Sequence, residues 1–412
     1  MMVDFKCESV LRSAQTSRVP GSSPRRTQMA HDAETIERPA STQGAANAAF
    51  LRNLPAPEPS MGSAAYAAQR ERALAFDPRR RANYEKYLRA RADRKIVDYL
   101  PIKLDIENVS RCNFRCTMCQ VSDWHKGQRA ADMPLESFKA LLDRQYGLIE
   151  IKLQGMGEPL MQGDAYLAML RHAREREIWV RTTTNASLLH LRENYRRLID
   201  ADPNEVQISI DGADEATFES IRRGSVFSRV IANCKLINAY SRERGVDRTK
   251  MWVVVQQSNR HQLPDFVELA AEAGFTSLAF SLDLTNWGQD KWGEALRDIV
   301  AEDALTEELC NRLMARGREL GVRVAFWNVT DKYSWRKTDK LCPWPFERLY
   351  VSSDMRTVPC CTIANPEVVD LGNAEDLVAI WHGETYETFR RDHREGRIPE
   401  VCKGCYREDD RA

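Results

Sequence analysis

From Pro101 to Leu282 the chain alternates short apolar runs with longer amphipathic segments. The runs at 102–109, 148–154, 178–184, 205–210, 251–257 and 276–282 are rich in Ile, Val, Leu and Thr, the composition of strands. The stretches between them, at 134–145, 165–177, 226–240 and 263–274, carry apolar residues at helical spacing. Strand–helix units in succession predict an α/β fold with a parallel sheet and helices outside it. Right-handed crossovers curl such a sheet into a full or partial barrel. Functional groups then belong in the loops at the C-terminal ends of the strands.

The flanks follow other patterns. Residues 1–60 mix Ser, Thr, Pro, Ala and Arg with no apolar period and are expected to be disordered. Residues 61–100 read as a helical extension broken near Pro78. Between Arg70 and Lys95 stand ten Lys or Arg and four Asp or Glu, which reads as a solvated helix face rather than a binding patch. After the core at 101–285, a helical bridge is expected over 286–340, then a Cys-rich tail over 341–412.

Sixty basic residues balance sixty acidic ones. That argues against wholesale coating of a polyanion, so nucleic acid is not an expected partner. No apolar run approaches the roughly 18 to 20 residues of a membrane span. The N-terminus lacks the apolar stretch of a secretory signal, so a cytoplasmic location is expected.

The eleven cysteines are clustered. Cys112, Cys116 and Cys119 lie in one loop, and Cys342, Cys360, Cys361, Cys402 and Cys405 lie in the last quarter. Clustered thiols in a large cytosolic chain read as metal ligands rather than disulfides. The loop RCNFRCTMCQ spaces its thiols C-x3-C-x2-C. A structural zinc ion needs four protein ligands and this loop offers three. Three thiolates on a four-iron cluster leave one iron open to a small chelating molecule. Spacing alone leaves zinc open, with His125 or a distant thiol as fourth ligand.

This loop, placed after the first strand, resembles the signature of radical S-adenosylmethionine (SAM) enzymes, whose core is a partial (β/α)6 TIM-like barrel. The resemblance covers about Pro101 to Leu284. QGMGEPL, after the second strand, is similar to that family's glycine–glycine–glutamate–proline motif, with Met156 intervening. The resemblance implies a [4Fe–4S] cluster on Cys112, Cys116 and Cys119. It also implies that Gly157 and Glu158 receive the SAM amino group, that Ser209 of SIDG contacts the ribose, that Arg222 pairs the SAM carboxylate, and that Met118 packs near the adenine. It implies reductive cleavage of SAM to a 5′-deoxyadenosyl radical that abstracts hydrogen. An electron donor such as flavodoxin or ferredoxin is implied with it. No side chain is singled out as a catalytic acid or base.

In the tail, RLYVSSDMRTVPC predicts two short strands about a turn at Ser352–Asp354. Four ligands are expected: Cys342, one of Cys360 and Cys361, Cys402 and Cys405. Neighbouring strand residues face opposite ways, which selects Cys360 and leaves Cys361 to pack elsewhere. A zinc ribbon fits this spacing equally well. The tail resembles the SPASM extension in its shortened form, called twitch, which implies one auxiliary [4Fe–4S] cluster on Cys342, Cys360, Cys402 and Cys405.

The expected reaction is oxidation or epimerisation of a polar small molecule, a sugar or aminocyclitol, by a radical SAM oxidoreductase or isomerase in natural-product biosynthesis. A peptide-modifying maturase is the alternative, set lower because residues 1–100 lack the strand pattern of a leader-binding domain. RNA modification and a non-catalytic zinc scaffold stand below it. Trp124, His125, Gln256, Asn259 and Trp287 lie near strand ends, where either substrate contact or plain packing fits. Cys234 and Cys310 have helical surroundings that favour burial over a hydrogen-donor role.

Overall fold

The computed structural model describes residues 50, 53–125, 128–129, 131–282, 284, 286–301, 303–327 and 333–406. Residues 1–49, most of the stretch expected to be disordered, lie outside them.

All six expected strands form: β1 (Lys103–Ile106), β3 (Glu150–Leu153), β4 (Trp179–Thr184), β5 (Glu205–Ser209), β7 (Thr249–Val254) and β8 (Ser277–Ser281). β2 (Arg115–Cys116) and β6 (Arg222–Arg223) make a separate two-stranded ribbon. β9 (Arg323–Trp327), β10 (Arg348–Val351) and β11 (Thr357–Val358) extend the main sheet to the order β11-β10-β1-β3-β4-β5-β7-β8-β9. Every pairing in it is parallel except β10–β11. The sheet is that of a partial barrel with its two edges open.

The helices are α1 (Ser63–Phe76), α2 (Pro78–Ala90), α3 (Leu135–Arg144), α4 (Asp164–Arg174), α5 (Asn194–Asp200), α6 (Glu215–Ile221), α7 (Phe227–Glu243), α8 (Leu263–Glu272), α9 (Asp290–Leu296), α10 (Glu307–Leu320), α11 (Trp344–Glu347), α12 (Leu377–His382) and α13 (Glu384–Arg394). Strand residues such as Leu104, Ile151, Val206, Val253 and Phe280 pack against Phe138, Leu170, Val230 and Phe266 of the outer helices. The alternate strand positions therefore face the concave side. Among the described residues no helix is long and apolar enough to cross a membrane.

Three segments differ from the sequence expectation. The 286–340 stretch is not only a helical bridge, because β9 pairs with β8 through five registered residues. Its short strand, eBiBe in burial, carries two exposed ends that mask the apolar signal. Residues 53–60 are fixed against the N-terminal ends of the strands. Pro55 O accepts from Phe326 N–H (2.8 Å), Ser60 N–H donates to Glu205 Oε2 (3.3 Å), and Arg323 donates to Ser60 O (2.7 Å). The basic helices are not merely solvated either. Arg80 is buried and donates to the carbonyls of Ala73 (3.0 Å), Tyr146 (3.1 Å) and Arg176 (2.8 Å). Arg94 donates to Leu341 O (2.7 Å) and Cys342 O (3.2 Å), which ties the N-terminal extension to the tail.

One carboxylate joins the barrel to the tail. Glu107, just past β1, is fully buried. Its Oε1 accepts from Arg129 (3.0 Å), Ser353 N–H (3.1 Å) and Ser353 Oγ–H (2.8 Å). Its Oε2 accepts from Met156 N–H (3.0 Å) and Tyr350 O–H (2.8 Å). The loop after β1, the loop after β3 and the β10–β11 hairpin thus meet on one side chain. Breaking a buried, fully satisfied ion pair by removing one partner costs about 3 to 5 kcal/mol. We expect Glu107→Leu to lose about 4 kcal/mol in urea unfolding, and Glu107→Gln, which keeps an acceptor, to lose less. Equal and small losses in both would refute the junction role.

Candidate functional site

The loop after β1 carries Cys112, Cys116 and Cys119. Cys116 lies on β2, in register with Arg222 on β6. Thr117 N–H donates to Ile221 O (2.9 Å) and Cys119 N–H to Cys116 O (3.1 Å), so the loop backbone is pinned on both sides of the second thiol. Burial pushes the Cys112 thiol up to about 12, with Glu158 adding to it, and raises Cys116 and Cys119 as well. The Arg222 guanidinium pulls all three the other way. Three soft donors on one loop with a buried cation beside them suit a metal–sulfur group that holds thiolates.

The loop after β3 lies directly on this backbone. A Cβ at Gly157 would stand 2.3 Å from Arg111 O and 2.4 Å from Val109 O, so only glycine fits there. Glu158 N–H donates to Arg111 O (2.9 Å). The Glu158 carboxylate is already engaged inside the protein: Oε1 accepts from Thr184 O–H (2.7 Å) and Leu160 N–H (3.2 Å), and Oε2 from Asn185 N–H (2.8 Å). It fixes the loop to the end of β4. Ser209 ends β5 and is half-buried. Arg222 is buried and pairs with Asp211 (2.6 Å), two residues past β5. Its Nη1 lies 4.0 Å from Cys116 Sγ, while its Nε has no partner. Met118 packs with Ile221, Trp292 and Leu296, with Trp287 at the edge of the same cluster. Segment 286–300 therefore roofs the cysteine loop, and Gln289 donates to Gln120 Oε1 (3.1 Å).

In the tail, β10 and β11 form the expected hairpin. The strand stops at Val358, so Cys360 and Cys361 occupy irregular backbone and strand alternation does not sort them. The Cys402 thiol, raised well above its ordinary value by burial, is raised further by Cys360, Cys342 and Cys405, while Cys361 acts with Cys342 and Cys405 on Tyr333. Cys342 N–H donates to Tyr406 Oη (3.3 Å). Cys342, Cys360, Cys361, Cys402 and Cys405 thus all lie in one neighbourhood, and the geometry does not separate Cys360 from Cys361. Among the described residues no three Cys, His, Asp or Glu side chains converge as ligands of a single ion. A four-iron cluster spreads its thiolates over the faces of a cube and does not need that convergence.

The remaining sequence candidates divide. Asn259 is fully buried and satisfied, donating to Asp211 O and Val254 O (both 2.9 Å), so it is a structural residue. Trp124 lies under Arg129, 5.2 Å from ring centre to guanidinium, and His125 is exposed. Gln256 Nε2 and Trp287 Nε1 are buried without partners. Cys234 and Cys310 are fully buried in the core.

Sequence reasoning missed the concave face. Asp105, Lys152, Arg181 and Glu205 stand side by side across β1, β3, β4 and β5. The signal was present as charged residues alternating with apolar ones in KLDI and EIKL, and it points inward rather than to solvent. Arg181 pairs with Glu150 (3.2 Å) and Glu205 (4.0 Å), Lys250 with Glu205 (3.3 Å), and Lys103 with Glu150 (3.4 Å). Tyr66 from α1 donates to Glu150 (2.8 Å) and closes that end of the barrel. Burial opposes ionisation of Glu150, yet Lys103, Arg181 and Arg348 bring it down to about 2.

Comparison with known proteins agrees with this geometry. The Radical SAM superfamily model matches residues 108–270, and the iron–sulfur cluster-binding SPASM model matches residues 342–406. A PqqA peptide cyclase from Bradyrhizobium diazoefficiens is 24% identical over 76% of this chain and 80% of its own. Another from Rhodopseudomonas palustris is 26% identical over 74% and 79%. The crystal structure of Streptococcus suis SuiB bound to the precursor peptide SuiA has the same fold, with a TM-score of 0.54 at 15% identity, over 75% of this chain and 71% of that one. The cofactors are accordingly a [4Fe–4S] cluster with SAM in the barrel and an auxiliary iron–sulfur cluster in the tail. With three thiols on the first barrel loop and five more cysteines in the tail, the chain belongs to the radical SAM superfamily and carries a C-terminal SPASM domain.

Proposed function

We propose that this radical SAM enzyme modifies a peptide by joining two of its side chains, with the target residues held in the barrel lumen. The observation that carries the reading is the match over three quarters of the chain to enzymes named PqqA peptide cyclase. It corrects the expectation of a sugar or aminocyclitol oxidised or epimerised as a small molecule, which those relatives overturn. That expectation leaned on the missing strand pattern in residues 1–100, and a leader-binding domain is only one way to hold a peptide.

In this reading Cys112, Cys116 and Cys119 hold the cluster that binds SAM, and Cys342, Cys360, Cys402 and Cys405 hold the auxiliary one. When bound, the first cluster and SAM supply a 5′-deoxyadenosyl radical by one-electron reduction. The chain's own residues prepare the space. Gly157 lets the loop backbone approach the ligand, and Arg222 offers its cation beside Cys116. Met118 and Trp292 cover the ligand with apolar surface. Glu158 acts by positioning, since its carboxylate holds the loop to β4. A small electron carrier such as flavodoxin or ferredoxin supplies the reductant. Joining two side chains removes two hydrogens from the peptide, so the enzyme would act as an oxidoreductase.

Three measurements test this. Replacing Cys112, Cys116 and Cys119 together by Ala should abolish SAM cleavage with dithionite and lower iron from about eight to about four atoms per chain, as two separate four-iron clusters require. Unchanged SAM cleavage would defeat the assignment. Cys360→Ala should lose the tail's iron while Cys361→Ala keeps it; equal retention would show that the wrong thiol was chosen. For the substrate, the short peptides encoded beside the gene are co-expressed with the enzyme and weighed by mass spectrometry. One of them should emerge lighter by two hydrogens, and only with the three loop cysteines intact. If none changes while SAM is still cleaved, the peptide reading fails.

A further inference from the structure

The concave face of the barrel is a chamber lined with charge. Its inward cations are Lys103, Lys152, Arg181, Lys250 and Arg348, and the carboxylates that meet them are Asp105, Glu150, Glu205 and Glu347. Four of the five cations stand within ion-pair distance of those carboxylates. Lys152 alone has no ion pair and no hydrogen bond among the described residues, and it is only half-buried. Its neighbours Ile151 and Leu153 are fully buried in the core on the opposite face, so its ammonium projects into the chamber.

Lys152 stands where a substrate would lie. It is two residues before Gln154, where β3 gives way to the glycine loop that touches the cysteine loop. On its other side Cys361, next to the proposed auxiliary ligand Cys360, acts on it electrostatically. Facing groups are Asp105, Arg181, Glu205 and Cys361. Asp105 is in register on β1 but its nearest ion-pair partner is Arg348 at 4.0 Å. Burial disfavours the charge on both Asp105 and Lys152. A half-buried cation with no ion pair of its own gains a charge-assisted hydrogen bond when a ligand anion is placed beside it.

We propose that Lys152 anchors a carboxylate of the substrate, so that the residue presented to the chamber is acidic or lies beside an acidic residue. The proposal rests on the peptide reading for its form and on the inward cation that has no ion pair for its chemistry. It makes Lys152 a specificity residue that neither thiol cluster accounts for.

The test uses anaerobic holoenzyme with SAM and no reductant, so that binding is read without turnover. The probes are the blocked pentapeptide acetyl-Gly-Ala-Glu-Ala-Gly-amide, its Gln counterpart, and the blocked single residues acetyl-Glu-amide and acetyl-Gln-amide, titrated calorimetrically. Wild type should prefer each Glu probe over its Gln partner by about tenfold or more, the effect of one charge-assisted hydrogen bond. Lys152→Met should lose the preference, Lys152→Arg should keep part of it, and Lys152→Glu should reverse it toward a Lys pentapeptide. These variants also keep the result separate from misfolding, since iron content and the preference are read on the same sample. Equal binding of Glu and Gln probes by wild type, a preference that survives in Lys152→Met, or binding of none of the probes would each overturn the proposal. Lys152-dependent preference for acetyl-Glu-amide with no pentapeptide binding would uphold the anchor and defeat the peptide reading instead.

Discussion

The architecture depends on a buried carboxylate that is fully occupied. Glu107 accepts from Arg129, Ser353, Met156 and Tyr350, and these come from the cysteine loop's far side, the hairpin of the tail, the glycine loop and β10. A charge is tolerated at zero exposure only when its acceptor sites are filled, and here the filling donors come from three functional segments. The carboxylate therefore acts as a joint. Because β10 also pairs with β1 in parallel register, the first strand of the tail continues the barrel sheet. The two proposed metal sites consequently share one rigid frame and are not carried by independently mobile domains.

The same economy shapes the lumen. Parallel strands bury both faces, and a purely apolar interior would have filled the barrel with side chains. This chain instead places Asp105, Lys152, Arg181 and Glu205 in adjacent register. Cross-strand ion pairs satisfy most of that charge, and residues 53–76 stopper the N-terminal mouth through Tyr66, Ser60 and Pro55. At the other mouth Met118, Trp292 and Leu296 form an apolar roof. The concave face is thus charged toward the first mouth and apolar toward the second. That gradient suits a radical reaction, in which an uncharged reactive centre sits beneath hydrocarbon while the substrate's polar groups are held below.

What the sequence made legible follows from range. The six core strands and the four amphipathic helices rest on local periodicity, so they could be read directly. The C-x3-C-x2-C loop was legible because its ligands lie within eight residues. Interactions between distant segments were not. Nothing local distinguishes Glu107 from a surface glutamate, or Arg80 and Arg94 from the solvated arginines around them; their partners lie up to 248 residues away. β9 was missed because its exposed ends hide a strand that tertiary pairing secures. For Cys360 and Cys361 the premise of strand alternation does not hold, since β11 ends at Val358 and neither cysteine lies on a strand.

Substrate class was misjudged for a related reason. The cysteine loop and the glycine loop specify which radical is made, and they do so through backbone approach and thiol chemistry that any substrate shares. Selection among substrates belongs to the side chains that face the chamber, and these are scattered one or two per strand over some 250 residues between Lys103 and Tyr350. Each looks like an ordinary alternation of charge within a short strand until the sheet brings them together. The folded arrangement converts that scatter into a charge count, and the count leaves Lys152 over. Cofactor chemistry and substrate choice are thus encoded at different ranges in this chain, the first in contiguous motifs and the second in a register that exists only after folding.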